Sequence, residues 1–570
     1  MIRILSLSVI SVIFFMSSIA VAAPKLTAEE QLQAIAEDFL SLQFEFDPVY
    51  ATEMGEHKLD ARYPDFSSGA VNRMVNKLRQ TKTNLKKIKV ADLGADAKLD
   101  YTLLESNIDT QIITLTNTNL YRDNPKLISS TAVNGIYFIM LSQSMTEEER
   151  LKLILERLVK LPDFLTASEK QLKNPPQIWT LLAKEEADNA TTFLGDVSAF
   201  YGAQLPQHQK EIDVKFAAAV AAFQDFSDFL GDFGEREGQS FAIGREVYNR
   251  LLTTEYFLDF DVDSLTRIGE SLLDQYQKSY DSLSAIVDAL PPIEELNTFI
   301  PATFSRDDVI DYFQWEIDQT RKWVSQNEFA TVPADIGECQ PVETPKFLEN
   351  IIGGIAYQAP GAFESVQTGR FYVRPLPDSL DDANRSAFFR YCYRRGFRSS
   401  VVHEAYPGHH MQLQLANRST SLIRRIQRNN LMIEGWTLYC EEAMYDQGFY
   451  GSDPRQMLAI IGGIRFRAAR IIVDTKLQTG QMTYQQAIDW MVEKLGASVE
   501  YIEKEVNRYT LTPTTPMTYL LGKEQIKMVR SSLQSRMGEQ YSAKRFHDLL
   551  LNEGAIPPML ILRKVNDLIL

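Results

Sequence analysis

The chain of 570 residues has only three cysteines, Cys339, Cys392 and Cys440, too few and too widely spaced for a disulfide-dense scaffold or a CxxC zinc or redox motif. No run of five or six basic residues offsets the formal net charge of −16, which argues against nucleic acid as a partner. Beyond the N-terminal segment there is no run of 18 apolar residues, so no integral membrane segment is expected in the mature chain. Ser/Gly-rich hinges, low-complexity tracts and internal repeats are also missing, and residues 23–570 therefore read as one domain. What is present is an ordinary globular composition, 45% hydrophobic and 11% aromatic.

The first residues have the pattern of a secretory signal peptide: Arg3, an apolar stretch from Ile4 to Met16, then small residues ending Ala20-Val21-Ala22-Ala23. Cleavage is expected near Ala22, giving a soluble periplasmic or secreted protein. An uncleaved anchor is the alternative. No cysteine lies near the cleavage point, so lipid attachment there is not indicated.

Helix starts dominate the rest. Thr27-x-x-Glu30, Thr146-x-x-Glu149, Ser305-x-x-Asp308 and Thr483-x-x-Gln486 each precede an apolar run of helical period, as a capping box does. Asn174-Pro175-Pro176, Pro291-Pro292 and the Pro513 to Pro516 segment punctuate the helices at short intervals. Between Cys339 and Pro375, Gly353-Gly354, Ala356-Tyr357, Pro360-Gly361 and Phe371-Tyr372-Val373 suggest a short hairpin or small sheet, or else an irregular loop. The expected fold class is mainly α.

Three of the six histidines fall within His403-Glu404-Ala405-Tyr406-Pro407-Gly408-His409-His410. Histidine is the commonest zinc ligand, and a Glu beside the first ligand supplies a general base. The usual H-E-x-x-H spacing is absent. On an unbroken helix, six residues turn the side chain by about 240° and advance it ~9 Å, so His403 and His409 would not share an ion. Pro407 clashes with the carbonyl four residues back, that of His403, and Gly408 adds backbone freedom, so a break is expected between the two histidines. His410 returns to the face of His403 but ~10.5 Å along the axis; His409 is the preferred second ligand, with His410 the alternative.

A third ligand is expected from Ile433-Glu434-Gly435-Trp436, where Glu434 lies among apolar residues and needs a nearby cation. Arg424, Arg425 or Arg428 would meet that need without a metal. Glu441 and Glu442 read as a solvated helix face, or else as ligands or outer-sphere acceptors. His57, His208 and His547 are distant in sequence and read as surface or satisfied polar residues.

The segments His403 to His410 and Glu434-Gly435-Trp436 resemble the H-E-A-x-P-G-H-H and E-G-W-A-L-Y motifs of the bacterial family DUF885. Asp47-Pro48-x-x-Ala51-Thr52-x-x-Gly55, Arg508-Tyr509 and Tyr519-x-x-Gly522 extend the likeness to most of the mature chain. That family in turn is similar to helical zinc peptidases such as angiotensin-converting enzyme, in which the second zinc histidine also follows a glycine. The resemblance implies a two-lobed helical body with a deep cleft and a small sheet along its edge. It also implies zinc as cofactor, the metal site within residues 403–434, and short peptides as substrates. His403, His409 and Glu434 would be the zinc ligands, Glu404 the general base, and Tyr519 a donor to the oxyanion. Two segments depart from the pattern: Lys476 and Gln478 stand where the family has Gly and His, and Thr515 where it has Gln. They motivate the alternative of a peptide-binding protein whose chemistry has lapsed; a metal-dependent amidase or esterase is a related third reading. Oligomeric state, substrate sequence and the end trimmed have no signature in these motifs.

Overall fold

The computed structural model describes residues 26–233, 238–290, 308–345, 354–376, 379–381, 383–385, 387 and 397–569. The N-terminal segment, Pro291-Pro292, Ser305, Gly353 and Cys392 lie outside them. Among the described residues the chain is mainly α, with 21 helices and one three-stranded sheet. No helix among them is long and apolar enough to cross a membrane.

Local chemistry sets many helix ends. Thr27, Thr146 and Thr483 each close a reciprocal capping box with Glu30, Glu149 and Gln486, starting helices Ala28–Phe46, Glu147–Glu169 and Tyr484–Leu495. The last ends on Gly496 at φ 67°, a left-handed cap that glycine adopts without a Cβ penalty. Asn174-Pro175-Pro176 separates Glu147–Glu169 from Gln177–Gln204, as a pair of prolines should.

Strands β1 (Cys339–Glu343), β2 (Ile355–Gln358) and β3 (Gly369–Val373) form a sheet of order β1-β3-β2, with β1 parallel and β2 antiparallel to β3. The sheet separates two apolar cores. Phe371 and Val373 enter the larger core, built from the N-terminal helices and much of the C-terminal half. Tyr372, on the other face, joins a second core formed by helices between Pro125 and Gly231. Side chains alternating across a strand produce this division. Tyr372 and Tyr137 share a hydroxyl–hydroxyl hydrogen bond of 3.0 Å at the second core. β2 is thereby left on the outer edge of the sheet, beside the histidine segment.

Six helices position that segment: α1 (Arg398–Glu404), α2 (His409–Asn417), α3 (Asn430–Asp446), α4 (Pro454–Gln478), α5 (Val499–Leu511) and α6 (Thr515–Met537). α3 and α6 approach closely because glycine faces glycine. A Cβ on Gly435 would stand 2.6 Å from the Gly522 Cα, and one on Gly522 would stand 2.0 Å from the Leu431 carbonyl oxygen. Trp436, completely buried beside this contact, contributes on the order of 2–3 kcal/mol through burial alone.

Candidate metal centre

The expected helix break lies between the histidines. α1 ends at Glu404, Ala405 leaves helical geometry at φ −107° and ψ −93°, and α2 begins at His409. A Cβ at position 408 would stand 1.8 Å from the His403 carbonyl oxygen, so the reversal needs glycine there. The Trp436 indole N–H donates to the Pro407 carbonyl at 2.8 Å and ties the break to α3. His403 in the last turn of α1 and His409 in the first turn of α2 then meet edge to face, with ring centroids 4.9 Å apart.

Glu434, in the first turn of α3, completes the group. Its Oε2 lies 3.8 Å from His403 Nε2 and 3.7 Å from His409 Nε2, with the three side chains only 11, 12 and 18% exposed. One donor atom from each residue falls within 4.8 Å of the others. The two carboxylate–imidazole separations, 3.8 and 3.7 Å, are too long for hydrogen bonds. They are a few tenths of an ångström above the edge of a zinc tetrahedron, about 3.4 Å for ligand distances near 2.1 Å.

The donors suit a cation. His403 Nδ1–H donates to Glu441 Oε1 at 2.8 Å, which leaves the Nε2 lone pair facing the group. Thr437 Oγ1 is 3.2 Å from that nitrogen but 3.0 Å from the Glu434 carbonyl, and it has one proton to give. His409 Nδ1 is buried without a hydrogen-bond partner. Burial pushes His409 down to about 4, keeping the imidazole neutral. Burial works against charge on His403 as well, but the bond to Glu441 and the neighbouring Glu404, Glu441 and Glu434 carboxylates hold its pKa above the ordinary value. Three carboxylates around two imidazoles call for positive charge. Two imidazole nitrogens, one carboxylate oxygen and an orienting carboxylate behind the first histidine form a donor set that fits zinc.

The alternative cations for Glu434 are engaged elsewhere. Arg424 pairs with Asp96, Asp100 and Glu553; Arg425 donates to the Ala362 carbonyl; Arg428 donates to Asn417 Oδ1 and to backbone carbonyls. His410 points away from the group. Its Nε2 lies 3.0 Å from the Gly337 carbonyl and 3.1 Å from the Tyr406 hydroxyl, while Nδ1 meets the Tyr357 hydroxyl at 3.0 Å. His547 is likewise buried, held by the Phe329 carbonyl and the Tyr439 hydroxyl, whereas His57 bridges Asp60 and Glu364 and His208 pairs with Glu148.

Glu404 adjoins the group from the end of α1. Burial pushes its pKa up to about 7, partly opposed by His403 and by a hydrogen bond from the Tyr357 backbone N–H of β2. Tyr519, on α6, is close enough to Glu434 for that carboxylate to add to the upward shift that burial imposes on the phenol. Its hydroxyl accepts from Arg508 Nη1 at 3.4 Å.

One expectation is corrected. Glu441 and Glu442 are not a solvated face: Glu441 is buried against His403, and Glu442 pairs with the fully buried Lys523 at 2.6 Å. Gln478 and Lys476, two of the departures from the family pattern, have partners of their own. The Gln478 amide accepts from the Ile243 backbone N–H and donates to the Tyr509 carbonyl, while Lys476 pairs with Glu270 at 2.9 Å near the surface. Cys440 is a free, buried thiol. Sequence reasoning ranked Glu441 as an outer-sphere acceptor below a solvated face, although it lies two helical turns from Glu434 on the same face. It missed Asp474, whose Oδ1 accepts the Thr514 backbone N–H at the start of α6 and whose Oδ2 accepts the Tyr248 hydroxyl, anchoring the helix that carries Tyr519.

The family model for bacterial proteins of unknown function DUF885 matches residues 48–565, and the chain belongs to that family. No functionally curated protein matches the sequence. Two solved structures share the fold. One, described as "a putative lipoprotein of unknown function" from Shewanella oneidensis, is 20% identical with a TM-score of 0.74, covering 95% of this chain and 100% of its own. The other, "the putative lipoprotein from Colwellia psychrerythraea", is 19% identical with a TM-score of 0.78, covering 96% of this chain and 100% of its own.

Proposed function

We propose that this DUF885 protein is an exported zinc-dependent peptidase that hydrolyses short peptides. The observation that carries the reading is the convergence of His403 Nε2, His409 Nε2 and Glu434 Oε2, with no hydrogen bonds among them and Glu404 adjoining. Those three residues would hold the ion, which would supply Lewis acidity toward the scissile carbonyl and toward water. Glu404 takes a proton from the attacking water as the new C–O bond forms, then delivers it to the amide nitrogen as the C–N bond breaks and the amine departs. Tyr519 donates its hydroxyl hydrogen to the oxygen that gains charge. The outer edge of β2 offers main-chain groups to an extended peptide, beside the Tyr357 N–H that already faces Glu404. Export follows from the leader, with the mature protein released to the periplasm or medium by cleavage near Ala22. The lipoprotein descriptions of the two structural neighbours fit an exported protein.

The test is metal analysis of the purified mature protein combined with digestion of a mixed peptide library read by mass spectrometry. Stoichiometric zinc and defined cleavage products are expected. Glu404→Gln should keep the zinc and slow cleavage by ~10²–10⁴-fold, since the amide cannot take the water proton. A zinc-loaded native protein that binds peptides and cleaves none would overturn the peptidase reading in favour of a binding protein. The positions at 476 and 478 that motivated that alternative have structural partners of their own.

A further inference from the structure

On the Tyr519 side of the candidate centre, positive charge is left over. Three guanidinium groups surround the Tyr519 ring: Arg470 at 4.7 Å and Arg467 at 5.9 Å from its centroid, and Arg508 hydrogen-bonded to its hydroxyl at 3.4 Å. Two of them share one carboxylate. Glu505 Oε2 accepts from Arg470 at 2.7 Å, from Arg508 at 3.0 Å and from the Tyr509 hydroxyl at 2.7 Å. Arg470 is buried and serves as the pillar of this network. Arg508 is 36% exposed, and Arg467 meets no carboxylate: its Nη1 donates to the Gly463 carbonyl at 3.2 Å, and its buried Nε has no partner.

A guanidinium offers five donors in a planar fork that fits a carboxylate with two parallel hydrogen bonds. Arg467 and Arg508 each use only part of theirs within the protein, and the three arginines set against the one Glu505 carboxylate leave about two positive charges uncancelled in a chain whose overall charge is −16. A surplus of this kind beside an otherwise carboxylate-rich centre provides local attraction for an anionic group.

Building on the peptidase reading, we infer that Arg467 and Arg508 bind the C-terminal carboxylate of the peptide, which makes the protein a carboxypeptidase-type enzyme. Tyr519 links the two sites: it stands three residues before Gly522, which packs on Gly435 beside Glu434, and its ring lies among the arginines. Hydrolysis of a peptide anchored by its own C-terminus releases a C-terminal fragment that carries the free carboxylate.

The experiment uses a mixed-sequence hexapeptide library made twice, once with C-terminal acids and once with C-terminal amides. Each is equilibrated with immobilised, zinc-loaded Glu404→Gln mature protein, and retention is read by mass spectrometry. Acids should be enriched by about tenfold over their amides, as expected for loss of a charge-assisted bond. Adding Arg467→Gln should remove most of that preference. Arg467 contacts only a carbonyl and a ring, so the substitution should leave zinc content and melting temperature unchanged; Arg508→Gln provides a second, independent variant. Equal retention of acids and amides, or retention of neither, overturns the inference. So does native protein that trims acids and amides alike or releases residues from the N-terminus, an outcome that leaves the peptidase reading standing. Strong acid preference without any cleavage by native protein has the opposite consequence: the anchor holds and the peptidase reading fails.

Discussion

Two buried polar regions meet at the start of α2 and are built to opposite ends. Around His410, each ring nitrogen has a partner, on β2, on the preceding loop or on the Gly337 backbone. Around His409, one ring nitrogen has no partner, and the other faces a carboxylate and a second imidazole at distances longer than a hydrogen bond. Both histidines are neutral through burial, His409 held down to about 4 and His410 to about 3, so burial and titration do not tell them apart. Satisfaction does. A fully bonded buried group stabilises the fold, whereas buried lone pairs that converge without protons between them are organised for something the chain does not itself supply.

The most severe way to break the comparison is to remove the carboxylate on which the open side converges. Glu434→Ala should abolish stoichiometric zinc, because it takes away one of three protein ligands and the charge that balances the cation. Metal analysis after dialysis against a weak chelator reads the result. Unchanged zinc in this variant would mean that the convergence is an ordinary buried cluster.

A smaller effect is expected one shell out. Glu441→Gln keeps the shape of the group beside His403 Nδ1 but replaces a charged acceptor with a neutral one that can rotate its amide toward the ring. Zinc affinity should fall by about 10–100-fold while the fold is retained, which competition with a chromogenic chelator would measure. Identical affinity would return Glu441 to a purely structural role.

How far the centre could be read in the chain follows the same division. The helix break was legible because Pro407 and Gly408 act through backbone sterics, a local property, and in the folded chain Gly408 must also clear the His403 carbonyl. His403, His409 and Glu434 were legible through residue type and spacing around that break. The groups that hold those residues in place were not, since each depends on long-range packing. Trp436 reaches Pro407, Gly435 rests on Gly522, and Glu442 finds Lys523, all contacts between segments far apart in sequence. The arginines that looked available to Glu434 by proximity are drawn instead to Asp100, Glu553 and backbone carbonyls brought in by tertiary structure. Gln478 shows the converse. It departs from the family motif, while the fold uses the position to hold two backbone groups, a task an imidazole with one donor and one acceptor would also perform.

The mildest prediction concerns the satisfied side. His410→Ala removes a ring whose two nitrogens serve the Gly337 carbonyl and the Tyr357 and Tyr406 hydroxyls, and it opens a small cavity between β2 and the loop before α2. The carbonyl and hydroxyls are then left short of partners in a site with little solvent, which costs about 1–3 kcal/mol. For a chain of this size that is a downward shift of a few degrees in melting temperature rather than loss of folding. Zinc content should stay near that of the native protein, because neither His403, His409 nor Glu434 bonds to the ring. His409→Ala should do the reverse, losing metal with less effect on stability measured in a metal-free buffer, since its Nδ1 has no hydrogen bond to forfeit. Calorimetry and metal analysis on the two variants separate the outcomes. If His410→Ala loses the zinc and His409→Ala keeps it, the two neighbours have exchanged roles, and the open side of α2 is not where the metal sits.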